Sequence, residues 1–151
     1  MPKIDIDTIA ERRGADYPAP FAAPCAERIR QRLGDAGGLV DFGVNLMRLA
    51  PGAWSSQRHW HAQEDEFVYV LAGHVTLIDD QGETVLGPNE CAAFPKGAVN
   101  GHHLVNWSSE PAILLEIGSR SSADIRTYPD IDLKFENGDD CYSHKDGTPY
   151  P

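Results

Sequence analysis

The chain has 151 residues, enough for one domain with a buried core. At 41% hydrophobic and 24% charged it has the composition of an ordinary globular protein, and its net charge is -10. With no stripe of Lys and Arg, that balance excludes a phosphate-reading nucleic-acid surface and argues against an anionic membrane partner. Three widely spaced cysteines, Cys25, Cys91 and Cys141, make no disulfide framework and no CxxC pair. The first residues carry no apolar leader and no run is apolar enough to span a bilayer, so a cytoplasmic location is expected.

Residues 1–27 read as an extended arm, because the prolines of Tyr17-Pro18-Ala19-Pro20-Phe21 disfavour helix. Residues 27–33 fit a helical turn or an edge strand, ended by Gly34-Asp35-Ala36-Gly37-Gly38. From residue 39 the pattern changes to short strands: 39–49, 58–61, 66–71, 75–78, 84–86, 91–94, 102–107 and 112–117. The breaks between them are turn sequences such as Ala50-Pro51-Gly52-Ala53, Asp79-Asp80-Gln81-Gly82 and Pro95-Lys96-Gly97. Strands at this spacing predict a β-sandwich or barrel. Cys91, in an apolar run, is expected in its core. Residues 119–151 are polar and acidic without periodicity, and are expected to be a non-core extension that wraps the barrel or a partner subunit. The organisation expected is therefore an arm (1–38), one barrel (39–118) and an extension (119–151).

Four of the six histidines fall in two clusters, His59-Trp60-His61 and His102-His103. On a strand, residues i and i+2 share a face, so His59 and His61 point into one space. A carboxylate and a third imidazole beside them would complete a three-His, one-carboxylate shell for a divalent transition metal. Ala62-Gln63-Glu64-Asp65 has the composition of a turn, which resets strand parity, so spacing alone leaves both Asp65 and Glu66 open as the carboxylate. His74 and His144 are expected to be solvated, Trp54 and Trp60 to pack or rim a pocket, and Arg48, Arg58 and Glu116 to be surface charges. No nucleophile elbow or phosphate-binding glycine loop is present.

The segment Gly52 to Gly73, with His59-x-His61-x4-Glu66-x6-Gly73, resembles the first cupin motif, with one extra residue after its first glycine. Asn89-x5-Pro95-x-Gly97-x4-His102-x3-Asn106 resembles the second, with Asn89 in place of glycine and two extra residues before the histidine. The resemblance covers roughly residues 40–118. It extends to a bacterial single-domain cupin subgroup, some of whose members carry the label sugar-phosphate isomerase.

The resemblance implies an all-β double-stranded β-helix, the cupin jelly-roll barrel. It implies His59, His61, Glu66 and His102 as ligands of a divalent ion (Fe, Mn, Ni or Zn), with an insertion before His102 and His103 turned to the other side of its strand. A strict count would place Asn100 at the fourth position instead and leave a three-ligand site. The activity implied is that of a metal-dependent isomerase, lyase or dioxygenase acting on a small polar metabolite. The alternatives are a non-catalytic small-ligand binding or sensor module, and a structural protein stapled by its metal. A homodimer is expected, because 66–71 is apolar on both faces.

Overall fold

The computed structural model describes residues 3–151. Its strands, in chain order, are β1 (Arg12–Arg13), β2 (Arg28–Arg32), β3 (Phe42–Leu49), β4 (Trp60–His61), β5 (Glu66–Ala72) and β6 (Val75–Asp79). They continue with β7 (Gly82–Leu86), β8 (Cys91–Phe94), β9 (His103–Val105), β10 (Ala112–Ser119), β11 (Ile125–Tyr128) and β12 (Leu133–Glu136). A one-turn helix, α1 (Leu33–Ala36), lies between β2 and β3. The strands form a six-stranded sheet, β1-β2-β3-β10-β5-β8, and two three-stranded sheets, β7-β6-β9 and β12-β11-β4. This is the all-β double-stranded β-helix that the turn spacing and the motifs predict. No helix among the described residues is long and apolar enough to cross a membrane.

Register explains where the core sits. Leu49 pairs with Ala112, Met47 with Leu114, and Leu114 with Val70 across β3, β10 and β5, so these side chains form adjoining rows on one face. They meet Val75 and Leu86 from the smaller sheet, and Leu104 closes the cluster. Each such side chain contributes about 1.5–3 kcal/mol by leaving water. Turn chemistry holds the strand ends. Gly73 takes φ +73, where an added Cβ would lie 2.5 Å from the Pro111 carbonyl oxygen. Asn89, standing where the family motif has glycine, takes φ 67, a left-handed conformation that Asn tolerates better than most residues.

Of the two readings of residues 27–33 the strand is the one formed: β2 pairs along β3 from Arg28↔Leu49 to Arg32↔Asn45 and extends the main sheet. Two expectations are corrected. The polar tail is not outside the core, because Asp124, Tyr128 and Leu133 are fully buried and β11 pairs with β4. Cys91 is exposed rather than buried. It lies on edge strand β8, where the short apolar run Cys91-Ala92-Ala93-Phe94 hides its parity: Ala92 and Phe94 pack on the core, while Cys91 and Ala93 face out. The buried thiol is Cys25.

Candidate metal centre

An isolated antiparallel bridge brings the two histidine clusters together. His59 N donates to the His102 carbonyl (3.2 Å) and His102 N donates to the His59 carbonyl (2.9 Å). Glu66 opens β5 on the face that carries Val68 and Val70, opposite Gly118 of β10. Asp65 turns away, and its carboxylate accepts from Lys96 N (2.9 Å). The ligand atoms of His59, His61 and Glu66 all lie within 4.8 Å of one another. His59 Nε2 is 3.2 Å from His61 Nε2. Glu66 Oε2 lies 3.6 Å from His59 Nε2, 3.5 Å from His61 Nε2 and 2.8 Å from His102 Nε2. Phe94 stacks on the His102 ring at 3.5 Å and fixes its plane. His103 instead directs Nδ1 to the Ser56 carbonyl (3.0 Å) and meets Trp54 edge-on.

The donor set fits a divalent ion on two counts. Bonds of about 2.0–2.2 Å place neighbouring ligand atoms roughly 2.9–3.5 Å apart in tetrahedral or octahedral geometry, close to the observed spacings. The tautomers also fit. His59 Nδ1 donates to the Gln57 carbonyl (2.8 Å), His61 Nδ1 to Asp124 Oδ2 (2.7 Å) and His102 Nδ1 to the Asn100 carbonyl (3.4 Å). Each acceptor lacks a proton, so each neutral imidazole turns a bare Nε2 lone pair inward, toward the Glu66 carboxylate. Only positive charge at the centre reconciles those lone pairs.

Without an ion, protons supply that charge. Burial pushes the Glu66 carboxyl up, but His102, His59 and His61 together hold it well below the carboxylate range. Burial lowers His61, yet Glu66 and Asp124 outweigh it and bring its pKa to about 9. Burial dominates at His59 and lowers it.

The centre opens into a cavity of about 940 Å³. Arg12, Arg28, Arg30, Arg32, Arg120 and Arg126 all line it, a concentration of guanidinium groups in a chain of net charge -10. Glu116, expected on the surface, points into this cavity at 18% exposure and accepts from Arg30 Nη2 (2.9 Å). Its register explains this: Glu116 faces Val68 across β10 and β5, one inward pair from Glu66. Arg48 bonds Gln31 outside the cavity (2.8 Å). His74 is exposed as expected, whereas His144 is half-buried, bonded to Asp132 (2.7 Å) and stacked on Tyr150.

Arg58 ties the site segments together. Its guanidinium donates to both Asp130 carboxylate oxygens (2.7 Å each), to the Gly101 carbonyl (3.0 Å) and to Asp80. Gly101 leaves room for Pro129, whose Cγ would lie 2.7 Å from an added Cβ.

Sequence reasoning missed Asp124, Arg30, Arg126 and Tyr128. For Arg30 a signal existed, since Arg28, Arg30 and Arg32 alternate with period two. For Asp124 there was none, because its partner His61 is 63 positions away.

A family model described as a cupin domain matches residues 45–118. The chain is also similar to a crystal structure of a sugar phosphate isomerase from a cupin superfamily, from Silicibacter pomeroyi. The two share 47% identity and a TM-score of 0.93, over 99% of this chain and 97% of the other. The chain belongs to the cupin superfamily. This cupin is similar as well to a proposed sugar phosphate isomerase from Acidithiobacillus ferrooxidans, at 31% identity and TM-score 0.73, over 83% of this chain and 81% of the other. A polyketide cyclase from Streptomyces resistomycificus shares the fold alone, at 20% identity and TM-score 0.62, covering 79% of each chain. A search of curated proteins returned no match.

Proposed function

We propose that this cupin is a metal-dependent enzyme acting on a small hydroxylated metabolite, with isomerisation of a sugar phosphate as its reaction. The observation that carries the reading is the convergence of His59, His61, His102 and Glu66 at an arginine-lined cavity of metabolite size. The names of two relatives above 30% identity favour isomerisation over lyase or dioxygenase chemistry. A divalent ion in this centre supplies Lewis-acid polarisation of a substrate oxygen.

The chain's own residues do the rest. Asp124 and the Gln57 and Asn100 carbonyls hold the three imidazoles in the tautomer that presents Nε2. Isomerisation moves a proton between neighbouring carbons and needs an acceptor beside them. Glu116 lies outside the ligand set, one inward pair from Glu66, and Arg30 orients its carboxylate. It accepts and returns that proton.

The test is metal analysis of purified protein, then reconstitution with Fe(II), Mn(II), Ni(II) or Zn(II) and assay on aldose and ketose phosphates by proton exchange. Retention of metal by the wild type, its loss in His59→Ala, and turnover lowered about a hundredfold or more in metal-replete Glu116→Gln are expected. Metal-free wild type whose melting is indifferent to His59→Ala and His102→Ala sinks the reading.

A further inference from the structure

The arginines around the cavity are not equivalent. Arg28 is committed to the Gly14 and Ser55 carbonyls, and Arg30 to Glu116 through Nη2, its buried Nε lacking a partner among the described residues. Arg12 pairs with Asp16, Arg32 with Asp35, and Arg120 with Asp35 and the Leu39 carbonyl. Among them the Arg126 guanidinium alone makes no hydrogen bond or ion pair with the described residues. Its guanidinium lies over the Phe135 ring, 4.3 Å from the centroid, so its planar fork is held in place with its donors unspent.

Its position is fixed by register. Arg126 pairs directly with His61 across β11 and β4, and with Phe135 across β11 and β12. Directly paired residues share a face with Cβ atoms about 4.5–5.5 Å apart, so Arg126 rises from the sheet beside a metal-centre imidazole. Asp124, two residues before it in the chain, is already engaged by His61 Nδ1 (2.7 Å) and Gln63 N (2.8 Å). Tyr17, Tyr128 and Tyr142 pack against one another on the same cavity wall, with ring centroids 5.4–6.3 Å apart. The Tyr128 hydroxyl, buried on this wall, has no hydrogen-bond partner among the described residues.

We infer that Arg126 is the specificity-determining residue that anchors the substrate's oxyanion, a phosphate ester or carboxylate, while the rest of the substrate reaches the metal centre. The inference rests on the enzymatic reading above but on different residues. Arg126 lies outside the 45–118 cupin domain, so the C-terminal flank that lines the cavity, rather than the barrel itself, selects the charged substrate.

Calorimetric titration tests this with inorganic phosphate, fructose 6-phosphate, gluconate and glucose as probes, on chelator-treated and on Mn(II)-loaded protein. Phosphate is expected to bind saturably in both preparations. Arg126→Gln is expected to weaken phosphate and fructose 6-phosphate binding about 10–100-fold, with melting, Mn(II) uptake and the response to glucose unchanged. Arg126→Lys, keeping charge without the fork, falls between. Gluconate losing affinity in parallel makes the site a general oxyanion anchor, and gluconate unaffected makes it phosphate-selective; both support the inference. Wild type without saturable phosphate binding, or Arg126→Gln indistinguishable from it, overturns the inference. If the wild type also takes up no Mn(II), the enzymatic reading falls separately.

Discussion

The barrel and its flanks differ in what they give the site. The barrel supplies the candidate ligand atoms: His59, His61, Glu66 and His102 all lie within the cupin domain, on backbone fixed by a core of Leu, Val and Met. The flanks supply what surrounds those atoms. From β2 come Arg28 and Arg30, and from the segment 124–135 come Asp124, Arg126, Tyr128 and Phe135. One fold can therefore keep its metal chemistry while changing its substrate by changing its edges, which is how a single architecture hosts many functions.

That division can be broken by experiment. Leu114→Ala, in the fully buried centre of the barrel, should cost about 2–5 kcal/mol of stability in urea unfolding, and the metal centre should loosen with it. Asp124→Asn should act the other way round. Removing the carboxylate that orients His61 is expected to lower metal affinity about 10–100-fold in chelator competition while costing less stability than Leu114→Ala. Equal losses of stability in the two variants would erase the distinction between barrel and flank.

The smallest effect is chemical. Burial pushes the Cys25 thiol up to about 11, so at pH 8 it stays protonated and sheltered. A thiol reagent applied to native protein should modify Cys91 and Cys141 and leave Cys25 intact until denaturant is added. Labelling of Cys25 at the rate of the other two would mean that the N-terminal flank opens independently of the barrel.

The convergence of His59, His61, Glu66 and His102 was legible in the sequence because its determinants are local. A His-x-His pair declares a shared face, and the distance from Glu66 to Gly73 reports a strand whose turn needs left-handed backbone. Even the odd Asn89 follows the rule it seemed to break. The cavity walls were not legible in the same way. The segment β2 reads Arg-Ile-Arg-Gln-Arg, so its alternation marks a strand, but a face of three arginines reads as solvent-facing and not as a cavity wall. Strands β11 and β12 are four residues long and flanked by acidic loops, too short for a period to stand out. What makes Arg126 and Asp124 matter is the strand they lie beside, a relation absent from their own neighbourhood in the chain.

The Arg58 clamp carries a mechanical consequence. This guanidinium sits one residue before His59, grips the carbonyl one residue before His102, and holds Asp130 two residues beyond Tyr128. Three stretches of chain that meet nowhere in sequence are thereby pinned at a single point behind the site. A substrate pulling on the outer wall would also pull on the backbone that aims both histidines. Any ligand that tightens the wall stiffens the His59–His102 bridge, and trimming the tail would slacken that bridge from outside without altering either histidine.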